Sequence, residues 1–330
     1  MRALVVKESG GIDQVSLGAV EKPAPKAGEV LIEIRAVSVN FVDLVMISGS
    51  YQFKPQTPFV PGKLPAGVVA AVGPGVTRFK VGDRAVAQAE YGGFAEYVAM
   101  PEEQCVPLPA AISFTEAAGM AIVYDTAWFA LRDRGRIRPG DNVLVLGATG
   151  GVGLAAIQLA KAFGAKVLAA VSCAGKTDIV REAGADTVID LAVPDLRDSL
   201  REQVHAATAK QGADIVLDML GGDIFDAAVR ALAWSGRLVI IGFASGRIPS
   251  LKMNYLLVKN IEISGMQISD YRKRRPADMQ ACFAEIYAWR AAGKLKPLPI
   301  KTYRFEDYAE AMKEIRDRTQ RGRVVLTLKA

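Results

Sequence analysis

Hydrophobic and polar positions alternate through EVLIEIRAVSV at 29–39, and shorter apolar runs recur at 66–73, 83–88 and 94–100. Between them stand Pro23, Pro25, Gly28, the Gly73-Pro74-Gly75 triplet, Gly82-Asp83 and Gly92-Gly93. Short period-2 runs punctuated by such turn residues predict an irregular, barrel-like β domain over roughly the first 115 residues.

Beyond 116 the period changes. Near-continuous apolar strands are expected at 143–147, 166–171, 187–189, 214–217, 238–242 and 261–265. Amphipathic helices are expected between them, at 152–163, 176–183, 195–209, 223–233 and 251–258. Strands apolar throughout need cover on both faces, so the alternation predicts a doubly wound parallel α/β sheet. After 266, helices at 277–292 and 306–318 lead to a closing strand at 324–328. The expected organisation is an α/β module over 121–265 inserted into a domain built from 1–120 and 266–330.

The module opens with the strongest motif. The strand NVLVLG runs into Ala148-Thr149-Gly150-Gly151-Val152-Gly153, and a helix follows. Backbone N–H groups at a helix start, with no side chain in the way, suit a pyrophosphate, and the helix dipole favours an anion there. Gly150 and Gly151 give close approach, Val152 opens the helix, and Gly153 lets it pack on its strand. The spacing departs from G-x-G-x-x-G, which marks a variant loop. An NAD site normally ends its second strand with an acid for the ribose hydroxyls. Here KVLAAV continues as Ser172-Cys173-Ala174-Gly175-Lys176, with no carboxylate before Asp178. Ser172 and Lys176 suit a 2′-phosphate, so the expected cofactor is NADPH.

Composition narrows the chemistry. Of 330 residues, one is histidine and three are cysteine, without a CxxC pair. That excludes a disulfide framework and a cysteine-rich zinc site, and it suits a reducing cytoplasm. His205 lies in the polar stretch LREQVHAATAK and reads as a surface histidine. The start, MRALVVKESGG, reads as a strand and turn without a signal core, and the apolar run 154–171 is broken by Lys161, Gly164 and Lys166. No membrane or nucleic-acid partner is expected, and the excess of six positive charges is spread along the chain. The cluster Arg272-Lys273-Arg274-Arg275 reads as a solvated loop before a helix, with an acidic substrate or phosphate as the alternative.

Several longer segments carry a resemblance: SVNFVDLVMISGSY (38–51), VPGKLPAGVVAAVG (60–73), YGGFAEYV (91–98), GATGGVG (147–153), LDMLGGDIFDAAVRALAWSGRLVIIGFASG (217–246) and GRVVL (322–326). Together they resemble the zinc-independent quinone oxidoreductase branch of the medium-chain dehydrogenase/reductase superfamily, along essentially the whole chain. The resemblance implies a Rossmann-type sheet inserted into a GroES-like, β-barrel-type catalytic domain. It also implies a homodimer paired near 261–266. Zinc-dependent relatives carry a Cys and a GHExxG segment; this chain has Asn40, and Lys63 and Leu64 where the His and Glu would stand. Lys63 is expected to be a surface lysine, with stabilisation of a developing oxyanion as the alternative.

By the same resemblance, Asn40, Phe41, Asp43 and Leu44 lie against the nicotinamide and Thr126 near the pyrophosphate. Gly242, Phe243, Ala244 and Ser245 line the cofactor's path, and backbone at Met266 and Gln267 holds the carboxamide. Asp125 and Leu191 depart from residues common in relatives, where Gly and Tyr occur. Tyr51 resembles the proton donor of enoyl-thioester reductases, or it lines the pocket for shape. Asn40 is expected to orient the carboxamide or a substrate carbonyl, or to cap a turn. Asp43 is expected to bind backbone or sugar hydroxyls without titrating. Three functions follow: an NADPH-dependent quinone oxidoreductase acting on a small electron-poor acceptor, an NADPH-dependent enoyl reductase, or an NADPH-binding protein without turnover.

Overall fold

A computed structural model describes residues 1–328. The chain divides into two compact units, one of Met1–Ile122, Ser269–Tyr287 and Pro297–Ala330, the other of Val123–Ile268 and Ala288–Lys296.

The first unit begins with β1 (Arg2–Val6) and β2 (Val15–Ala19), an antiparallel pair. Next come β3 (Glu29–Val39), α1 (Phe41–Ile47), β4 (Ala66–Val72), β5 (Arg84–Ala87), β6 (Tyr97–Pro101) and β7 (Cys105–Pro107). The alternation in β3 points Val30, Ile32 and Ile34 into one apolar core with Val69, Ala85 and Val98. Its length lets it serve several neighbours, β4 and β6 among them. Gly67 on β4 faces Glu33 so closely that a Cβ would lie 2.0 Å from the Glu33 carbonyl oxygen.

After α2 (Phe114–Phe129), the second unit contains β8 (Asn142–Leu146), α3 (Gly151–Ala162), β9 (Lys166–Val171), α4 (Thr177–Glu182), β10 (Thr187–Asp190) and α5 (Leu196–Ala207). It continues through β11 (Ala213–Asp218), α6 (Gly222–Ala231), β12 (Leu232–Ile240), α7 (Asn254–Lys259) and β13 (Glu262–Gly265). The six strands are parallel in the order β10-β9-β8-β11-β12-β13. The chain starts at β8, works outward to one edge and returns to β11 to build the other half. This is the doubly wound arrangement, with its switch point between β8 and β11. Each expected strand of the module is present. β12 starts six residues earlier than expected because Leu232 turns extended at the end of α6.

The return to the first unit runs through α8 (Ile268–Arg274), α9 (Pro276–Ala291), β14 (Ile300–Arg304), α10 (Tyr308–Arg316) and β15 (Arg323–Thr327). β15 pairs antiparallel with β3, Val325 opposite Ser38, and closes a sheet that both ends of the chain build. Two expectations need correction. Residues 288–296 belong with the second unit, where Trp289 packs edge-on to Phe163 and the Lys296 N–H donates to Gln158. Residues 272–274 are helical, and Arg272 is buried at 1% exposure. The polar run hid that burial because one face of the helix turns inward.

Candidate functional site

In the second unit the site is set by strand register. Leu146, the last residue of β8, lies opposite Ala170 of β9 and Asp218 of β11, so the glycine loop leaves the sheet at its switch point. Gly147 has φ 74°, a conformation that side chains resist, and turns the chain sharply. Gly150 caps α3 with extended backbone and no side-chain hydrogen bond. The first N–H groups of a helix have no acceptor within it, so those of 151–153 are available to an anion. A Cβ on Gly150 would meet nothing closer than 3.4 Å, which leaves the loop's outer face open. On Gly153 it would lie 2.4 Å from the Gly147 oxygen and 2.7 Å from the Ala148 Cα. Gly153 is therefore a packing residue, and Gly150 and Gly151 bound the cradle.

Most of the other expected cofactor residues of this unit follow the carboxyl ends of its strands. Ser172 is exposed and Lys176 half-buried just beyond β9, and the acid that follows, Asp178, is exposed on α4. After β12 the loop folds back: the Gly242 N–H donates to Asp218 O, Ala244 to Met219 O and Ser245 to Leu220 O. Phe243 is left 39% exposed. The Met266 N–H donates to Ile240 O, extending the β12–β13 pairing, and Gln267 is half-buried. Thr126 and Asp125 are buried on α2, where the Asp125 carboxylate accepts the Thr126 N–H at 2.5 Å. That local bond explains how an acid is accommodated there. Leu191 is 8% exposed and packs in the apolar core. Sequence reasoning missed Asp218. It is fully buried, its Oδ1 accepts the Leu220 and Gly221 N–H groups, and its Oδ2 has no partner. Burial raises its pKa despite those two bonds.

The first unit holds a buried cluster of charges. Lys63 is 1% exposed, and its Nζ donates to Glu90 Oε2 at 2.7 Å and to the Glu90 carbonyl at 2.8 Å. Arg272 donates to Glu90 Oε1 at 2.8 Å, and the Ser269 hydroxyl to Oε2 at 2.6 Å. The Lys63 ammonium lies 5.2 Å from the centre of the Tyr51 ring. Burial pushes Glu90 up, but Arg272 and Lys63 outweigh it and hold the carboxyl at about 2. Burial lowers Lys63 by more than Glu90 and Asp43 restore, so the carboxylate is the better satisfied partner. The surface lysine expected at 63 is thus corrected. Sequence inspection of GKLPAG offers no sign of a partner 27 residues away.

Beside this cluster, Asn40 and Asp43 form the first turn of α1. Asp43 Oδ2 accepts the Asn40 backbone N–H at 2.8 Å and its amide at 3.1 Å. The Asn40 amide also donates to Ser38 O, while its Oδ1 accepts from Arg323 at 2.5 Å and Ser38 Oγ at 3.3 Å. Every hydrogen-bonding position of that amide is used, so Asn40 caps the turn and has none left for a substrate carbonyl. Asp43 binds backbone as expected, but it also titrates within reach. Burial raises its carboxyl to about 6, against the opposing pull of Lys63 and the Asn40 bonds, and Oδ1 has no partner. Phe41 is 45% exposed, and Leu44 packs half-buried on the core.

Residues 26–110 match the alcohol dehydrogenase GroES-like domain, and 151–285 the family described as zinc-binding dehydrogenase. The quinone oxidoreductase-like protein 2 homolog of Nematostella vectensis is 36% identical over 91% of this chain and 82% of its own length. The chain belongs to the quinone oxidoreductase branch of the medium-chain dehydrogenase/reductase superfamily. A mycobacterial structure complexed with NADPH superposes with TM-score 0.92 at 30% identity, covering 99% of this chain and 100% of its own. The CurK enoyl reductase superposes at 0.89, with 26% identity and 99% of each chain covered.

The family's zinc does not fit the residues present in this oxidoreductase. Lys63 brings an ammonium committed to Glu90, Leu64 is apolar, and the Asn40 amide is spent. A nicotinamide dinucleotide does fit, because Gly150 leaves an open cradle at a helix start without a side-chain cap.

Gly153→Val is expected to destabilise the second unit by about 1–3 kcal/mol, read by urea unfolding, because the new side chain meets backbone. The buried carboxyls predict a stability maximum near pH 4. Asp43, raised from 3.8 to about 6, adds a cost of about 3 kcal/mol that sets in as pH rises from about 4 through about 6. Glu90, lowered from 4.5 to about 2, contributes about 3 kcal/mol that is lost as pH falls from about 4.5 through about 2. Unfolding free energies across that range check both limbs, and Asp43→Asn should flatten the upper one alone.

Proposed function

We propose that this oxidoreductase transfers a hydride from NADPH to quinones or related small electron-poor acceptors without a metal. The observation that carries the reading is the ion cluster of Lys63, Glu90 and Arg272, built on the residue that by resemblance stands where zinc-dependent relatives place a histidine ligand. In the second unit the α3 cradle would hold the pyrophosphate, and Ser172 and Lys176 the 2′-phosphate. Thr126, the 242–245 loop and backbone at Met266 and Gln267 would hold the remainder. In the first unit Phe41 and Leu44 would offer apolar surface to the nicotinamide ring, and Asn40 would keep Asp43 and the α1 turn in place. When bound, NADPH supplies the hydride. The chain's own residues then meet the charge that develops on the acceptor, and Tyr51 is the proton donor they offer.

A second reading, reduction of enones, 2-alkenals or enoyl thioesters, is favoured by the cation beside the Tyr51 ring and by the likeness to an enoyl reductase. Binding of NADPH without turnover is the outcome that would replace both. Three cysteines outside any disulfide among the described residues, with Cys173 exposed, suit a reducing cytoplasm.

A second copy of this chain is the proposed cover for the sheet edge at β13. The opposite edge is blunted, because Gln203 bonds both the N–H and the carbonyl of Asp190 on β10. β13 pairs with β12 alone, and Met253, Leu257 and Val258 near it are 69–79% exposed. Edge strands with apolar flanks favour self-association about a two-fold axis.

NADPH oxidation with a panel of quinones, 2-alkenals and crotonyl-CoA should show turnover with at least one class; tight cofactor binding with no oxidation would leave only the non-catalytic reading. Lys176→Ala should weaken NADPH at least tenfold and NADH little, measured by fluorescence titration; an NADH preference in the wild type would overturn the cofactor assignment. Leu257→Glu with Val258→Glu should convert a dimer to monomer in sedimentation analysis.

A further inference from the structure

We propose that Lys63 is a positioning residue that makes Tyr51 an acid, by placing a buried positive charge against its ring. The proposal rests on the reading of Tyr51 as proton donor. Two features of the geometry carry it. The first is direction: Lys63 is 1% exposed and spends its donors on Glu90, with the ammonium 5.2 Å from the Tyr51 ring centre. The second is fixation. Glu90 is held at its other oxygen by Arg272 and at the shared one by Ser269, so it cannot carry Lys63 away from the ring.

The charges around this pair sum to a surplus. Lys63 and Arg272 are cations, and Glu90 is their shared anion. Asp43, raised to about 6 by burial and tied to Asn40, is mostly ionised at neutral pH and is a second anion, so a surplus remains only with a third cation. Arg323, behind Asn40, is a further cation. A neutral phenol gains little from a neighbouring cation, whereas a tyrosinate gains much, so the surplus favours the ionised form. In the reaction, a hydride adds to the β-carbon of the acceptor and the π electrons move to the α-carbon or its conjugated oxygen. Tyr51 gives its Oη proton to that atom, is left as tyrosinate beside Lys63, and recovers a proton from water.

The test is spectroscopic and needs no turnover. The near-ultraviolet absorbance of tyrosinate is titrated in wild type, Tyr51→Phe, Lys63→Gln and Lys63→Arg; the step missing from Tyr51→Phe belongs to Tyr51. That step is expected below the ordinary tyrosine range, to rise by about one to two pH units in Lys63→Gln, and to return towards wild type in Lys63→Arg. Should Lys63→Gln fail to fold, the wild-type step decides alone: Tyr51 ionising at or above pH 10 overturns the proposal. A step at the same pH in wild type and folded Lys63→Gln overturns it as well. Kinetics separate the two readings. If Tyr51→Phe leaves kcat unchanged while Lys63→Gln still moves the titration, the coupling stands and the proton-donor reading fails. If both hold, Lys63→Gln lowers kcat at least tenfold with little change in KM, and the alkaline limb of its pH profile shifts with the titration.

Discussion

The carboxylate of Glu90 is the point on which the first unit's chemistry turns. It accepts from an ammonium at Lys63 and from a guanidinium and a hydroxyl on α8, and its side chain is 12% exposed. Two buried cations without it would each carry a desolvation cost of several kcal/mol with nothing to offset it. With it, the loop at 62–64, the segment around 90 and α8 are held in one arrangement. The loop needs such an anchor: Gly62 and Leu64 both have positive φ, and a Cβ on Gly62 would lie 2.5 Å from the Phe94 nitrogen. A strained backbone persists only where its surroundings over-determine it, and here the surroundings are ionic.

The second unit solves a different problem by simpler means. Its cradle needs no charged side chain, since the dipole of α3 and bare backbone N–H groups supply the positive potential. The demand falls on shape, and Gly147 and Gly153 meet it, one by turning and the other by touching. This difference explains what the sequence made legible. Close backbone approach can be satisfied only by glycine, so the loop announces itself in Gly150-Gly151-Val152-Gly153. The parallel sheet is legible for a related reason: strands covered on both faces must be apolar throughout, and 143–147 or 166–171 have no other reading at that length.

The ion cluster was not legible, because pairing across 27 and 182 residues leaves no local periodicity. Arg272 sits in a run of four basic residues, and nothing in that run distinguishes the one that turns inward from its exposed neighbours. The burial of Lys63 is hidden for the converse reason: lysine is almost never fully buried, so its residue type points to water. Asn40 and Asp43 were half legible. Their three-residue spacing before an apolar run is a helix-start pattern, but the saturation of the amide by Arg323 joins opposite ends of the chain. Asp218 gave no signal at all, since an acid closing an apolar strand is common wherever a turn follows.

An ammonium in place of a metal changes what the site can discriminate. A zinc ion offers charge together with an open coordination position, so it binds a particular oxygen at a fixed distance and angle. Lys63 offers a charge with two of its three N–H donors committed to Glu90. On the proposed reading its influence would reach the acceptor as a field, through the Tyr51 ring, and a field does not distinguish a quinone oxygen from an enolate carbon. On that reading selection among acceptors would fall to the apolar surfaces of Phe41 and Leu44, which offer shape without directed bonds. Such a site would read electron deficiency and fit more than identity, and breadth of acceptor would follow from having Asn40, Lys63 and Leu64 in place of metal ligands.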